Sequence, residues 1–183
     1  LLYWTIFKGS KDLTLLNAAA FLVYLSFFSA LVSQAFIDIR HFIIPDSLSI
    51  YAAPFAIGAM ALLEHFGCAH GIGWRASVLG AFFGAGGLGA ISLLWWLIRR
   101  TEGMGMGDIK LLLLIGAMLG PWPAVPFVYV VSAFAALLVG VPIGFFSGRG
   151  WKMALPYGPF LALASVIWVF WGDVVCAYWF PMM

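Results

Sequence analysis

The sequence predicts an all-α fold: a polytopic membrane helix bundle with about six complete transmembrane helices plus the tail of a preceding one. Three observations lead there. Hydrophobic residues make up 64% of the chain and charged residues 9%. The mean hydropathy is +1.07, and a water-soluble globule would need far more polar surface to cover its core. The apolar residues also fall in runs long enough to cross a hydrocarbon core of about 30 Å at ~1.5 Å per helical residue. No soluble domain, internal repeat or low-complexity linker interrupts these runs, so residues 1–183 read as a single transmembrane domain. The net charge is +2 and the basic residues are scattered, which gives no face for nucleic acid.

In chain order, residues 1–7 look like the end of an apolar segment that began earlier, and residues 8–12 form a short polar break. The run 13–37 is apolar throughout and makes the first complete span. A polar turn follows, Asp38-Ile-Arg40-His41-Phe-Ile-Ile-Pro45-Asp46. Pro45 disfavours helix for Ile44, and Asp46-Ser47 offers an N-cap to the next helix. The second span covers 48–66, a glycine-containing loop covers 67–74, and the third span covers 77–98 before Arg99 and Arg100. Within it Gly80, Gly84, Gly86, Gly87 and Gly89 permit close helix packing in lipid. A glycine-rich loop then leads into a fourth run at 108–119, short for a full crossing unless protein lines it or the bilayer thins there. Gly120-Pro-Trp-Pro123 stops that run, and 124–146 is the fifth span, with Pro142 as a kink. The sixth is 157–180, where Trp168, Trp171, Tyr178 and Trp179 suit packing or an interfacial belt.

Alternating the spans assigns the loops to sides. One side receives Arg40, Arg99, Arg100, Lys110, Arg149 and Lys152, the other Lys8, Lys11 and Arg75. Six basic residues against three orient the first set toward the cytoplasm. Asp38 and Asp108 share that cytoplasmic end. Cys68 and Cys176 share the other, where an oxidising compartment could pair them, although nothing in the sequence fixes their separation. His65, Cys68 and His70 have loosely metal-like spacing but read as ordinary loop residues, short of the three or four ligands of an intact site. No metal is expected.

The chemistry concentrates in Glu102-Gly-Met-Gly-Met-Gly-Asp108-Ile-Lys110. Gly105 and Gly107 let the backbone turn tightly and let another chain approach, and Asp108 falls near a helix N-terminus. Asp108 is either a water-facing N-cap or half of a pair with Asp38. Like charges within a few ångström leave one carboxyl protonated and the other ionised. Such a pair can activate water and protonate a leaving amide nitrogen, which is peptide hydrolysis by an aspartyl mechanism. Proteolysis of this kind needs no cofactor. The signatures of a serine nucleophile elbow or a zinc protease helix do not occur.

The first motif, Asp38 to Asp46, followed by Glu102 to Leu111 and Gly116-Ala-Met-Leu-Gly120, resembles the type IV prepilin peptidases, membrane aspartyl proteases with a GxGD motif. The resemblance extends over nearly the whole chain in helix count and motif placement. It implies that Asp38 and Asp108 are the catalytic pair and that Asp46 is the trailing position of the first motif, where a structural N-cap is expected rather than a catalyst. Lys110 either stabilises ionised Asp108, binds an acidic part of the substrate, or snorkels to the interface. Arg40 and Glu102 are boundary charges near the site, and Met104 and Met106 either line a substrate groove or simply pack.

The resemblance further implies prepilins of type IV pili and pseudopilins of type II secretion as substrates. These are cleaved between a glycine and the first residue of an apolar helix, at the cytoplasmic face of the bacterial inner membrane. Many members also N-methylate the product with S-adenosylmethionine and carry a cytoplasmic domain with paired C-x-x-C motifs. Such cysteines are absent here, so either that domain precedes Leu1 or the protein is of a shorter, peptidase-only kind, and the apolar start favours the former. Two other readings stay open. One is a small proton-coupled transporter using intramembrane carboxylates. The other is a GxGD protease of the presenilin or signal-peptide-peptidase sort, which places Tyr-Asp where this chain has Ile37-Asp38.

Overall fold

The computed structural model describes residues 15–68, 70–100, 105–146 and 155–179. Residues 1–14, with Lys8, Lys11 and the apolar start, lie outside the described residues, as do Glu102, Met104, Arg149 and Lys152. The described residues form seven helices: α1 Leu15–His41, α2 Asp46–Ser49, α3 Ala52–His65, α4 Gly73–Arg99, α5 Met106–Leu119, α6 Ala124–Phe146 and α7 Gly158–Trp179. Five segments are long and apolar enough to cross a membrane, with α2 and α3 together making one of them. The polytopic all-helical bundle is therefore as expected.

The remaining helix, α5, organises the others. Its 14 residues rise only about 21 Å, short of a hydrocarbon core of about 30 Å. An apolar sequence on every face suits full burial, and Leu111, Leu112, Leu114, Ile115, Ala117 and Met118 are all buried. Helices α2, α3, α4, α6 and α7 all pack on it. Its backbone is thus lined by protein and not by lipid, the condition under which a short helix is tolerated at membrane depth.

The tightest seam runs between α4 and α5, antiparallel. A Cβ at Gly80 would collide with the carbonyl oxygen of Gly116, and one at Gly116 with that of Gly80. Gly84 meets the Leu112 carbonyl in the same way, and the Ser77 hydroxyl donates to the Ala117 carbonyl. Gly87 instead faces the Tyr129 hydroxyl of α6, while Gly86 looks into open space. Of the glycines expected to allow close packing, Gly80, Gly84 and Gly87 do so.

Helix boundaries differ from the sequence expectation where polar residues find partners. Helix α1 continues past residue 37 to His41, carrying Asp38 within its last turn; Phe42, at φ 54°, ends it. Its buried residues Ala20, Phe27, Leu31, Gln34 and Asp38 form one stripe, flanked by half-buried side chains such as Phe21 and Phe28, and apolar side chains on the far face, such as Leu22 and Phe36, are exposed to the outside. Buried Gln34 donates to the Leu48 carbonyl at 2.8 Å and accepts from the Ser49 hydroxyl at 3.1 Å, pinning α2 to α1. Helix α4 starts at Gly73, four residues early, which shortens the loop before it. Its Trp74–Arg75 and Trp95/Trp96–Arg99/Arg100 stacks stand roughly 32 Å apart along the axis, the spacing of two membrane interfaces. Trp168 packs on Phe127, while Trp171 and Tyr178 are exposed. Cys68, buried, and Cys176 are free thiols.

We predict that Gly116→Val destabilises the protein by about 1–3 kcal/mol through overpacking at the seam, whereas Gly86→Ala stays within about 0.5 kcal/mol of the parent. Gln34→Leu leaves the Leu48 carbonyl without its donor and costs about 1–3 kcal/mol. Unfolding in detergent followed by circular dichroism reads all three.

Candidate active site

One end of the bundle gathers the C-termini of α1 and α4 and the N-termini of α2, α5 and α7. Asp38 reaches this end on the last turn of α1 with only 6% of its surface exposed. Its Oδ2 accepts a hydrogen bond from the Gly158 backbone N–H, the first amide of α7, at 2.9 Å. A carboxylate facing a helix N-terminus meets the positive end of the peptide dipoles and an amide with no partner inside its own helix.

Asp108 sits in the first turn of α5, half-buried, with its amide donating to the Gly105 carbonyl at 3.2 Å. Its carboxyl lies within electrostatic reach of Asp38 and of the Tyr157 phenol. The two aspartates expected to meet are therefore brought to the same end of the bundle, like charge near like charge. Tyr157 precedes α7, and its hydroxyl lies 2.8 Å from the Ser132 hydroxyl of α6. Burial pushes its phenol above the ordinary value, the Ser132 hydrogen bond opposes this, and the Asp108 charge adds to it. Tyr157 is thus a neutral phenol at physiological pH.

The glycines of the second motif divide in function. Gly107 is where another segment of the chain comes close, since a Cβ there would lie 3.1 Å from the Ile44 side chain. Ile44 is buried, and its contact joins the first motif to the second. Gly105 corrects the expectation of a glycine-only turn: it precedes α5 at φ −61°, a value any residue adopts, and a Cβ there would make only ordinary contact, 3.5 Å from Asp108 Oδ2.

Two further expectations are corrected. Lys110 does not turn to Asp108; its Nζ pairs with Asp46 Oδ1 at 2.5 Å. Asp46 is not an N-cap, because Pro45 occupies that position and no side-chain cap bond forms. The reason is the same for both: α2 packs against the N-terminus of α5, which puts the carboxylate and the ammonium face to face. The pair is partly exposed, 27% and 52%, and contributes at most about 1 kcal/mol. Arg40 and Met106 are exposed at the rim of this end.

Sequence reasoning did not single out Tyr157 and Gly158. The signal was the turn-forming Pro156-Tyr-Gly-Pro159 placed directly before an apolar run, where a helix N-terminus was due. A groove of about 460 Å³ opens between α1, α3 and α5, lined by Val23, Phe27, Phe55, Leu114 and Met118 among others, with Ser26, Ser47 and Tyr51 as its polar groups. It has no charged side chain to meet the amino-acid and sulfonium charges of S-adenosylmethionine, so these residues do not fit that molecule, and no methyl-transfer step is derived from them.

Comparison with known proteins bears directly on this end of the bundle. A family model described as the type IV leader peptidase family matches residues 24–141, a stretch that holds both aspartates. A prepilin leader peptidase/N-methyltransferase of Aeromonas hydrophila is 34% identical over 153 residues, covering 81% of this chain and 49% of that protein. One from Burkholderia pseudomallei strain K96243 is 35% identical over 144 residues, covering 79% and 44%. One from Pseudomonas putida is 40% identical over 101 residues, covering 55% and 35%. The chain spans about half the length, or less, of these curated relatives. No solved structure matches it. With two motif aspartates at one end of a helical membrane bundle, and a family model covering most of the chain, the protein belongs to the type IV leader peptidase family.

Proposed function

We propose that the chain is a membrane aspartyl endopeptidase that removes the leader of type IV prepilins and pseudopilins at the cytoplasmic face of the inner membrane, cutting after a glycine. The observation that carries the reading is the approach of Asp38 to Asp108 across 70 positions of sequence, at the bundle end that also bears Arg40, Arg99, Arg100 and Lys110. Membership of the family, and the relatives' names, support peptidase chemistry. The accumulation of arginine and lysine at this end supports a cytoplasmic orientation.

In this mechanism one carboxyl is ionised and the other carries the shared proton. The ionised one takes a proton from a water as its oxygen attacks the scissile carbonyl carbon. The protonated one hydrogen-bonds the carbonyl oxygen and, as the tetrahedral intermediate collapses, a proton passes to the leaving amide nitrogen. The hydrogen bond from Gly158 and the nearby end of α7 favour Asp38 as the ionised partner. Asp108, within reach of the neutral Tyr157 phenol and with no cation paired to it among the described residues, suits the acid. A substrate whose apolar helix lies in the bilayer and whose basic leader stays in water would present its scissile bond at this depth, with only local unwinding.

The relatives' names join peptidase to N-methyltransferase. Methyl transfer from S-adenosylmethionine is a second activity to look for in the same product. The test is incubation of the purified protein in detergent with a type IV prepilin, with mass spectrometry of the new N-terminus reporting the cleavage site and any added methyl group.

We predict that Asp38→Asn and Asp108→Asn each reduce leader removal by about 1,000-fold or more while the protein still inserts into membranes. Cleavage that persists in Asp108→Asn would sink the aspartyl mechanism, and proton flux in liposomes without proteolysis would favour a transporter. Asp46→Asn, which breaks only a partly exposed ion pair, is expected to keep activity within about threefold of the parent.

A further inference from the structure

We propose that the backbone amide of Gly158 is a positioning group for Asp38, and that the site requires glycine at position 158. The inference rests on the protease reading above and adds a residue that lies beyond the matched stretch 24–141.

The start of α7 is built so that one amide is free to serve another helix. Pro159 has no N–H, and Phe160 and Leu161 both donate to the Tyr157 carbonyl, at 3.1 and 3.2 Å. The Gly158 amide goes to Asp38 Oδ2 at 2.9 Å instead. The aspartate thus does in trans what an N-cap side chain does within one chain segment: it satisfies an orphan donor at a helix end. In return the helix end fixes one oxygen of a buried carboxylate.

The approach depends on a missing side chain. A Cβ at position 158 would stand 2.8 Å from Asp38 Oδ2 and 3.3 Å from its Cβ and Cγ. The hard obstruction is the carboxylate oxygen and not a backbone, so an added methyl displaces the carboxylate, while the 3.3 Å approach to Asp38 Cβ asks the two helices to give by only a few tenths of an ångström. This differs from the α4/α5 seam, where an added methyl meets a main-chain carbonyl and the helices themselves must part. Tyr157, tied to Ser132 at 2.8 Å, and Pro159, with its fixed φ, hold the turn on either side of the glycine.

Steady-state cleavage of a prepilin by the detergent-purified protein, compared across the parent, Gly158→Ala and the control Gly86→Ala, tests the role. The expected result for Gly158→Ala is a kcat about 100-fold lower with KM within about twofold of the parent and an unchanged unfolding midpoint, since the fold survives while a reacting group is misplaced by about 1 Å. Gly86→Ala should match the parent in all three. A Gly158→Ala protein with parental kcat, or a loss carried by KM, would overturn the proposal.

An arm that needs no catalysis is amide hydrogen exchange at Gly158 in Asp38→Ala, expected to be about tenfold faster than in the parent with the middle of α7 unchanged. Unaltered exchange there would overturn the hydrogen bond itself, including where Gly158→Ala fails to fold. If the parent cleaves nothing, the protease reading fails, and the exchange result still decides whether Gly158 holds Asp38.

Discussion

The close apposition of the α4 and α5 backbones at Gly80 and Gly116 is the contact on which the rest of the molecule depends. Lipid supplies no hydrophobic drive to bring helices together, so association rests on van der Waals fit and on interhelical hydrogen bonds. With no side chain at Gly80, Gly84 or Gly116, α4 and α5 meet main chain to main chain, and Ser77 adds a hydrogen bond to the Ala117 carbonyl. The seam fixes the height of α5 against the longer α4. It therefore fixes how far inside that end of the bundle Asp108 sits, below the Trp95/Trp96–Arg99/Arg100 stacks.

Four contacts then bring the other acidic residues to α5 and α7, and two of them, at Gln34 and at Asp38, answer buried polar groups that would be costly alone in a low-dielectric bundle. Gln34 and Ser49 hold α2 to α1, which sets the path of the segment Phe42 to Pro45. Ile44 fills the space that Gly107 leaves open, and Lys110 closes on Asp46. The Gly158 amide takes Asp38. Buried Asp38 thus has a donor, and the exposed charges Arg40, Arg99 and Arg100 remain at the rim, where water reaches them. The proposed chemistry needs such an arrangement: two carboxyls close enough to influence each other, one of them held by a main-chain donor, at a depth where a membrane-borne peptide and water can both arrive.

Much of this was legible in the residues, although unevenly. Composition and run length gave the membrane class and the spans, and the positions of Asp38 and Asp108 at helix ends on one side followed from alternation alone. Lys110 and Asp46 were recognised as notable residues but not as partners: Lys110 was left between Asp108, the substrate and the interface, and Asp46 was assigned to the cap of its own helix. Their distance in sequence, 64 positions, hid the ion pair that joins them. Gly105 was given a conformational role that its φ of −61° does not require. Gly158 went unnoticed because its importance lies in an absent side chain beside a residue 120 positions away.

By itself, then, the sequence determined that the chain folds as apolar helices in a bilayer, that Asp38 and Asp108 stand at helix ends on one side, and that glycine recurs where helices must approach. These are properties of hydropathy and local pattern, which each segment carries with it wherever it packs. Only the tertiary structure decided that α5 is the enclosed centre, that Lys110 belongs to Asp46, and that the first amide of α7 belongs to Asp38. Hydrogen bonds and ion pairs form over about 3 Å, so the partner of a polar group depends on the register and rotation of whole helices against one another. No one segment encodes that information.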